Sequence, residues 1–289
     1  MLCQPYAIVT DSSCDVSPEE LEQWGVLCVD LQVSDQAGNP LVSDNAPQSV
    51  EGFYDWLASH DELPKTSMPS PLAFGELYSQ LARQGCTRVL SLHMSEAMSG
   101  TCNSARMAAQ SAPVRVDVVN TRRNTLTLAL LVRKASLMRA AGCSADEVLA
   151  ALEETIPNSS ICFAVDQLDN LVKGGRVGRA TGLIANVLDI KPILTVADDG
   201  EVESIGMAKS IKRAVNRLVK KAAELAAEIG PLEGYLVHVR NLPALELLRA
   251  SLRDAGVEFT ELVVRQVGPI IATHVGLGCV GFAYIPAER

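Results

Sequence analysis

Three short stretches place hydroxyls beside residues that let a backbone approach closely. Lys65-Thr66-Ser67-Met68-Pro69-Ser70-Pro71 puts three hydroxyls and two prolines between apolar segments. Ser70-Pro71 has the form of an N-cap followed by a first-turn proline, which predicts a helix start there. Such a start carries unpaired N–H groups and a partial positive charge, which suit an anion. Ser99-Gly100-Thr101 is a second predicted helix opening, with Gly100 permitting close backbone approach between two hydroxyls. Thr273-His274 precedes Gly276 and Gly278, a setting unlike that of a core histidine. Arg176 follows Gly174-Gly175, which is too short for a phosphate-binding fingerprint and reads as a turn with a surface arginine. These groups could hold a small anion such as a carboxylate. A serine with a histidine could also serve acyl transfer, but G-x-S-x-G is absent and no acid is marked as the partner of His274. The plain alternative for each stretch is an ordinary cap or turn.

The elements that must carry these residues alternate. Tyr6–Thr10 reads as a strand, Ser17-Pro18-Glu19-Glu20 opens a helix that Gly25 stops, and Val26–Val33 reads as the next strand. Ser49 is placed as the cap of a helix to Ser59, followed by a helix from Pro71 to Gln84 and a strand from Arg88 to His93. A helix through Ala105, a strand from Val114 to Val119 and an apolar helix from Asn124 to Ala141 complete the first half. This alternation predicts an α/β fold with a mostly parallel sheet flanked by helices, its ligand beyond the carboxyl ends of the strands. After Pro157 the rhythm changes to a mixed pattern. A hairpin turns at Asp198-Asp199-Gly200, a basic helix runs from Lys209 to Ile229, and Thr273-His274 reads as a polar loop before a last strand. The expected division is residues 1–157 and 158–289, the second a mixed α/β domain.

Composition narrows the function. The 289 residues are 48% hydrophobic but only 4% aromatic, so the core rests on Leu, Val, Ile and Ala. The formal net charge of −9 argues against a general binder of nucleic acid or anionic membranes. The longest apolar run, Leu126–Val132, is too short to span a bilayer, and Met1–Pro5 does not resemble a signal peptide. None of the eight cysteines forms a C-x-x-C pair, and no zinc-like spacing is present. Reduced, buried thiols in a cytoplasmic protein without a cofactor are expected.

Taken in order, these residues resemble the DegV family, the bacterial fatty-acid-binding proteins that include the FakB subunits of fatty acid kinase. The resemblance rests on Ile8–Ser13, Lys65–Ser70, Ser99–Ala105, Leu171–Val177, Leu188–Leu194 with Asp199-Gly200, and Gly268–His274 with Gly276 and Gly278. It implies two α/β domains with a fatty acid between them, the acyl tail in an apolar tunnel. It also implies that Thr66 or Ser67, with Ser99 and Gly100, holds the carboxylate, and that His274 and Arg176 complete the polar end. Family members that partner a kinase present the bound acid for phosphorylation and do not perform the chemistry, so a fatty acid kinase is the implied partner. Apart from the resemblance, a monomer is expected. The alternatives are a Ser/His acyl hydrolase or transferase, and an adaptor for another amphiphile. The chain departs from the family pattern at Met68, Cys102-Asn103, Asn120-Thr121, Lys209, Val275 and Leu277.

Overall fold

A computed structural model describes residues 6–42, 47–183 and 190–287. Residues 1–5, and with them the signal-peptide question, lie outside that range, as do Leu188-Asp189. The first strand, β1 (Ala7–Asp11), is buried throughout and pairs in parallel with β2 (Val26–Val29). Between them runs α1 (Pro18–Trp24), whose Ser17 cap accepts from Glu20 N–H and whose end at Gly25 is left-handed, with φ +62°. The apolar run to Val33 is not one strand. It breaks at Asp30-Leu31, and β3 (Gln32–Ser34) joins a separate antiparallel sheet with β4 (Pro40–Val42) and β5 (Lys65–Ser67). Helix α2 (Pro47–Ser59) already begins at Pro47, so Ser49 lies inside it and is not its cap.

Helix α3 (Pro71–Arg83) is capped by Ser70, and β6 (Arg88–His93) pairs with β1 on one side and β7 (Arg115–Asn120) on the other. Helix α4 (Thr101–Ala109) connects these two strands, giving a four-stranded parallel sheet in the order β2-β1-β6-β7. Helix α5 (Thr125–Ala140) is buried on every side from Thr125 to Val132. Its near-uniform apolar sequence is that of a helix with no solvent face, and it packs against strands of both halves of the chain.

Helix α6 (Ala145–Thr155), opened by a complete capping box at Ser144 and Glu147, leads to β8 (Ser160–Ala164). Then come α7 (Asp169–Lys173), the hairpin β9 (Lys191–Val196) and β10 (Val202–Ala208), and α8 (Ile211–Ile229). The remainder is β11 (Leu232–His238), α9 (Leu242–Asp254), β12 (Phe259–Gln266), α10 (Pro269–Val275) and β13 (Val280–Pro286). The second sheet has six strands in the order β10-β9-β8-β13-β11-β12 and is mixed, with only β11 and β12 parallel. The fold is α/β, with a parallel sheet in the first half and a mixed sheet in the second. One continuous core cluster joins them, containing Leu90 and Leu128 from the first half with Phe163 and Ala283 from the second. The outer face of the mixed sheet is closed by α8 and α9, while Lys212, Arg213 and Lys220 face solvent.

The cysteine expectation needs one correction. Cys14, Cys28, Cys102, Cys143, Cys162 and Cys279 are free, but Cys86 is disulfide-bonded. Disulfide pairing depends on side chains approaching within a few ångströms in space, which the spacing of cysteines along the chain does not reveal.

Polar groups also cross between the halves. Asp15 accepts from Thr125 Oγ1 at 2.6 Å and from the Gly268 N–H that begins α10. Burial pushes its carboxyl up to about 7, partly offset by those two hydrogen bonds. The folded state therefore keeps a proton between about pH 4 and 7 that the unfolded chain releases, so this group lowers stability as pH rises through that window. Asp15→Asn removes the penalty while its amide keeps both partners. The variant should match the parent at pH 4 and exceed it by about 2 kcal/mol at pH 8, roughly half the full linkage value because the site is not sealed from water. Urea midpoints at the two pH values measure this; equal midpoints at pH 8 would refute it.

Candidate functional site

Thr66 lies on β5, a strand and not the loop its composition predicts. Its pairing with Val33 of β3 fixes where the hydroxyl points. His274 is also not in a loop: it occupies the last turn of α10, which Gly276 ends at φ +75°. The two meet, Thr66 Oγ1 lying 3.1 Å from His274 Nε2. The imidazole lies over Gly174, where a Cβ would come within 2.5 Å of Nδ1, so only glycine fits. Asn170 locks this arrangement by donating to the Thr273 carbonyl at 3.0 Å. Arg176, on the same turn as Gly174, donates to the carbonyls of Met98 at 3.2 Å and Gly174 at 2.6 Å. Ser99, beside Met98, pairs with Thr101 Oγ1 at 2.8 Å at the start of α4. Gly100 is pressed by Met68, whose sulfur would lie 2.5 Å from any Cβ there.

These residues border one cavity of about 330 Å³ between the two sheets, lined at one end by Thr66, Ser67, Ser99, Gly100, Arg176 and His274. All six site residues expected from the sequence are thus brought together. Ser70 and Pro71 are not among the lining residues; Ser70 is exposed and caps α3. Most of the remaining wall is apolar: Leu31, Met94, Met98, Phe163, Leu171, Val196, Val202, Ile270 and Ile271. Asn124 is a lining residue that sequence reasoning missed, because at the opening of α5 it reads as an ordinary helix cap. Met68 borders the cavity and is 50% exposed.

Burial, and then the Arg176 guanidinium, hold the His274 imidazole down to about 4, so it is neutral at pH 7. Its Nδ1 has no hydrogen-bond partner among the described residues. A base of this weakness with no orienting carboxylate is poorly suited to activate a nucleophile. The hydroxyl it touches is Thr66, while Ser99 is engaged by Thr101. Among the described residues there is no group of three or more His, Cys, Asp or Glu side chains that could hold a metal ion. No helix among them is long and apolar enough to cross a membrane.

Comparisons with known proteins agree with this architecture. A DegV domain-containing protein of Deinococcus radiodurans is 35% identical over 97% of this chain and 98% of its own length. A DegV lipid-binding protein of Thermotoga maritima has a solved structure that superposes with a TM-score of 0.88 at 31% identity, covering 98% of each chain. A DegV family protein of Thermus thermophilus whose structure concerns fatty-acid binding matches with a TM-score of 0.88 and 31% identity, over 97% of this chain and 99% of that one. The Thermotoga and Thermus proteins are described as binding lipid or fatty acid and not as enzymes. The family model described as "Uncharacterised protein, DegV family" matches residues 5–287, and the chain belongs to the DegV family.

Proposed function

We propose that this protein binds a long-chain fatty acid without covalent attachment and presents it to a fatty acid kinase for acyl-phosphate formation. The observation that carries the reading is the division of one cavity into a polar end and a largely apolar wall. In this reading Thr66, Ser67 and Ser99 hold the carboxylate, the backbone at Gly100 lets it approach, and Arg176 and His274 complete the polar end. A buried carboxylate without partners costs several kcal/mol or takes up a proton; hydroxyls and the guanidinium satisfy it. Each buried methylene contributes about 0.8 kcal/mol, so a tail of about sixteen carbons supplies on the order of 12 kcal/mol before ordering costs. No activated nucleophile is needed.

Presentation to a kinase is supported by a second groove that shares Thr66, Arg176 and His274 with the polar end and also includes Gly174 and the exposed Lys65 and Lys173. A head group held there would be within reach of a second protein. In the same reading the protein is a cytoplasmic monomer of two domains, 1–157 and 158–289, whose border falls in the short turn between α6 and β8.

Native mass spectrometry of the purified protein tests the proposal. A co-purifying mass matching a long-chain fatty acid is expected. A clean apoprotein that also ignores added palmitate and oleate would overturn it.

A further inference from the structure

The wall between the polar end and the rest of the cavity contains one amide that neither the fold nor an anionic head group accounts for. Asn124 is only 8% exposed and lines the cavity among Met94, Met98, Phe163 and Val196. It occupies the N-cap position of α5, where an asparagine oxygen ordinarily accepts from the first turn, yet it makes no such bond. Instead its Nδ2 donates to Met98 Sδ at 3.0 Å, and its Oδ1 has no hydrogen-bond partner among the described residues. A thioether is an acceptor only, so this contact fixes the amide with its nitrogen toward Met98 and leaves the oxygen as the unused group.

A buried acceptor without a donor is destabilising, and a group that supplies the donor recovers that loss. An ionised carboxylate cannot supply it, being an acceptor, and a hydrocarbon tail has no donor. A hydroxyl does. Met98 locates it: the Met98 carbonyl accepts from Arg176 Nε at 3.2 Å while its sulfur meets Asn124. The amide is thus one methionine's length from the polar end, beside the first carbons of a bound chain. Met94 and Met98 are flexible enough to make room for a substituent there.

We infer that Asn124 makes this site selective for fatty acids bearing a hydroxyl near the carboxyl end, such as β-hydroxy acids. The inference rests on the fatty-acid reading of the cavity. It is tested with delipidated full-length protein by calorimetric titration of palmitate, β-hydroxypalmitate and ω-hydroxypalmitate. Wild type should bind the β-hydroxy acid at least about fivefold more tightly than palmitate, the ratio expected of one net hydrogen bond, and should show no such preference for the ω-hydroxy acid. In Asn124→Leu, and independently in Asn124→Ala, the ratio should fall to one or below. Palmitate bound as tightly as its β-hydroxy analogue by wild type, or a preference that survives in either variant, would overturn the inference while leaving the fatty-acid reading intact. If wild type binds none of the three acids, both fall.

Discussion

Replacing Thr66 and Ser99 together by alanine is expected to weaken palmitate binding by about two to four orders of magnitude, the loss of two hydrogen bonds to a charged acceptor. Thr66 reaches the polar end from β5 and Ser99 from the opening of α4, so the variant removes donors from both sides while the apolar wall is untouched. His274 loses its bond to Thr66, but the ring stays pressed over Gly174, and the fold should be retained. Titration calorimetry on delipidated protein, with circular dichroism as the control, measures the effect. Thr66→Ser alone, which keeps both hydroxyls, should bind palmitate nearly as tightly as wild type. A well-folded double variant that binds palmitate within threefold of wild type would mean the carboxylate lies elsewhere.

The second large effect is expected at Arg123, which does not line the cavity. Its side chain is 1% exposed, the largest fully buried one in the described protein. It donates to the carbonyls of Arg122, Ile156 and Ala197, to Ser159 Oγ and to Asp198 Oδ1. It therefore ties the loop before α5 to the turn before β8 and to the β9–β10 hairpin, whose Gly200 carbonyl also accepts from Ser95 at 2.9 Å. Arg123→Met keeps much of the volume but strands several buried carbonyls, and should destabilise the protein by about 3–5 kcal/mol in urea unfolding. Arg123→Lys should rescue little, since a single ammonium cannot reproduce a planar fork of donors. A loss below about 1 kcal/mol in the methionine variant would show that the two halves hold together without this link.

His274 adds a pH signature to the unliganded protein. Its folded-state value of about 4 lies below that of the unfolded chain, so its contribution is lost as pH falls from about 6.5 towards 4. Asp15 acts in the opposite direction over much of the same window. The slope from His274 should therefore be clearest in Asp15→Asn.

The sequence by itself determined much of this protein. Caps with a local chemical signature were legible because their partners lie within one helical turn: Ser17 and Ser70 cap as their spacing predicts, whereas the basic helix starts at Ile211 behind a Ser210 cap and not at Lys209. The alternation of strand and helix in the first half specified a parallel sheet, because short crossovers leave few other arrangements. The motif resemblance named the six residues that line the polar end of the cavity, and not its apolar wall or Asn124. Tertiary structure decided what depends on distant partners. Lys65–Ser67 became a strand only because β3 offers it an edge, and Val26–Val33 broke because its two parts serve different sheets. The histidine-bearing segment became a helix where its glycines had suggested a loop. The Cys86 bond, the arginine knot at Arg123 and the amide of Asn124 in the cavity wall likewise arise from approach in space. The polar end itself is assembled from β5, the start of α4, the turn after α7 and the end of α10. No local pattern records that meeting, because it is set by the shared core between the two sheets.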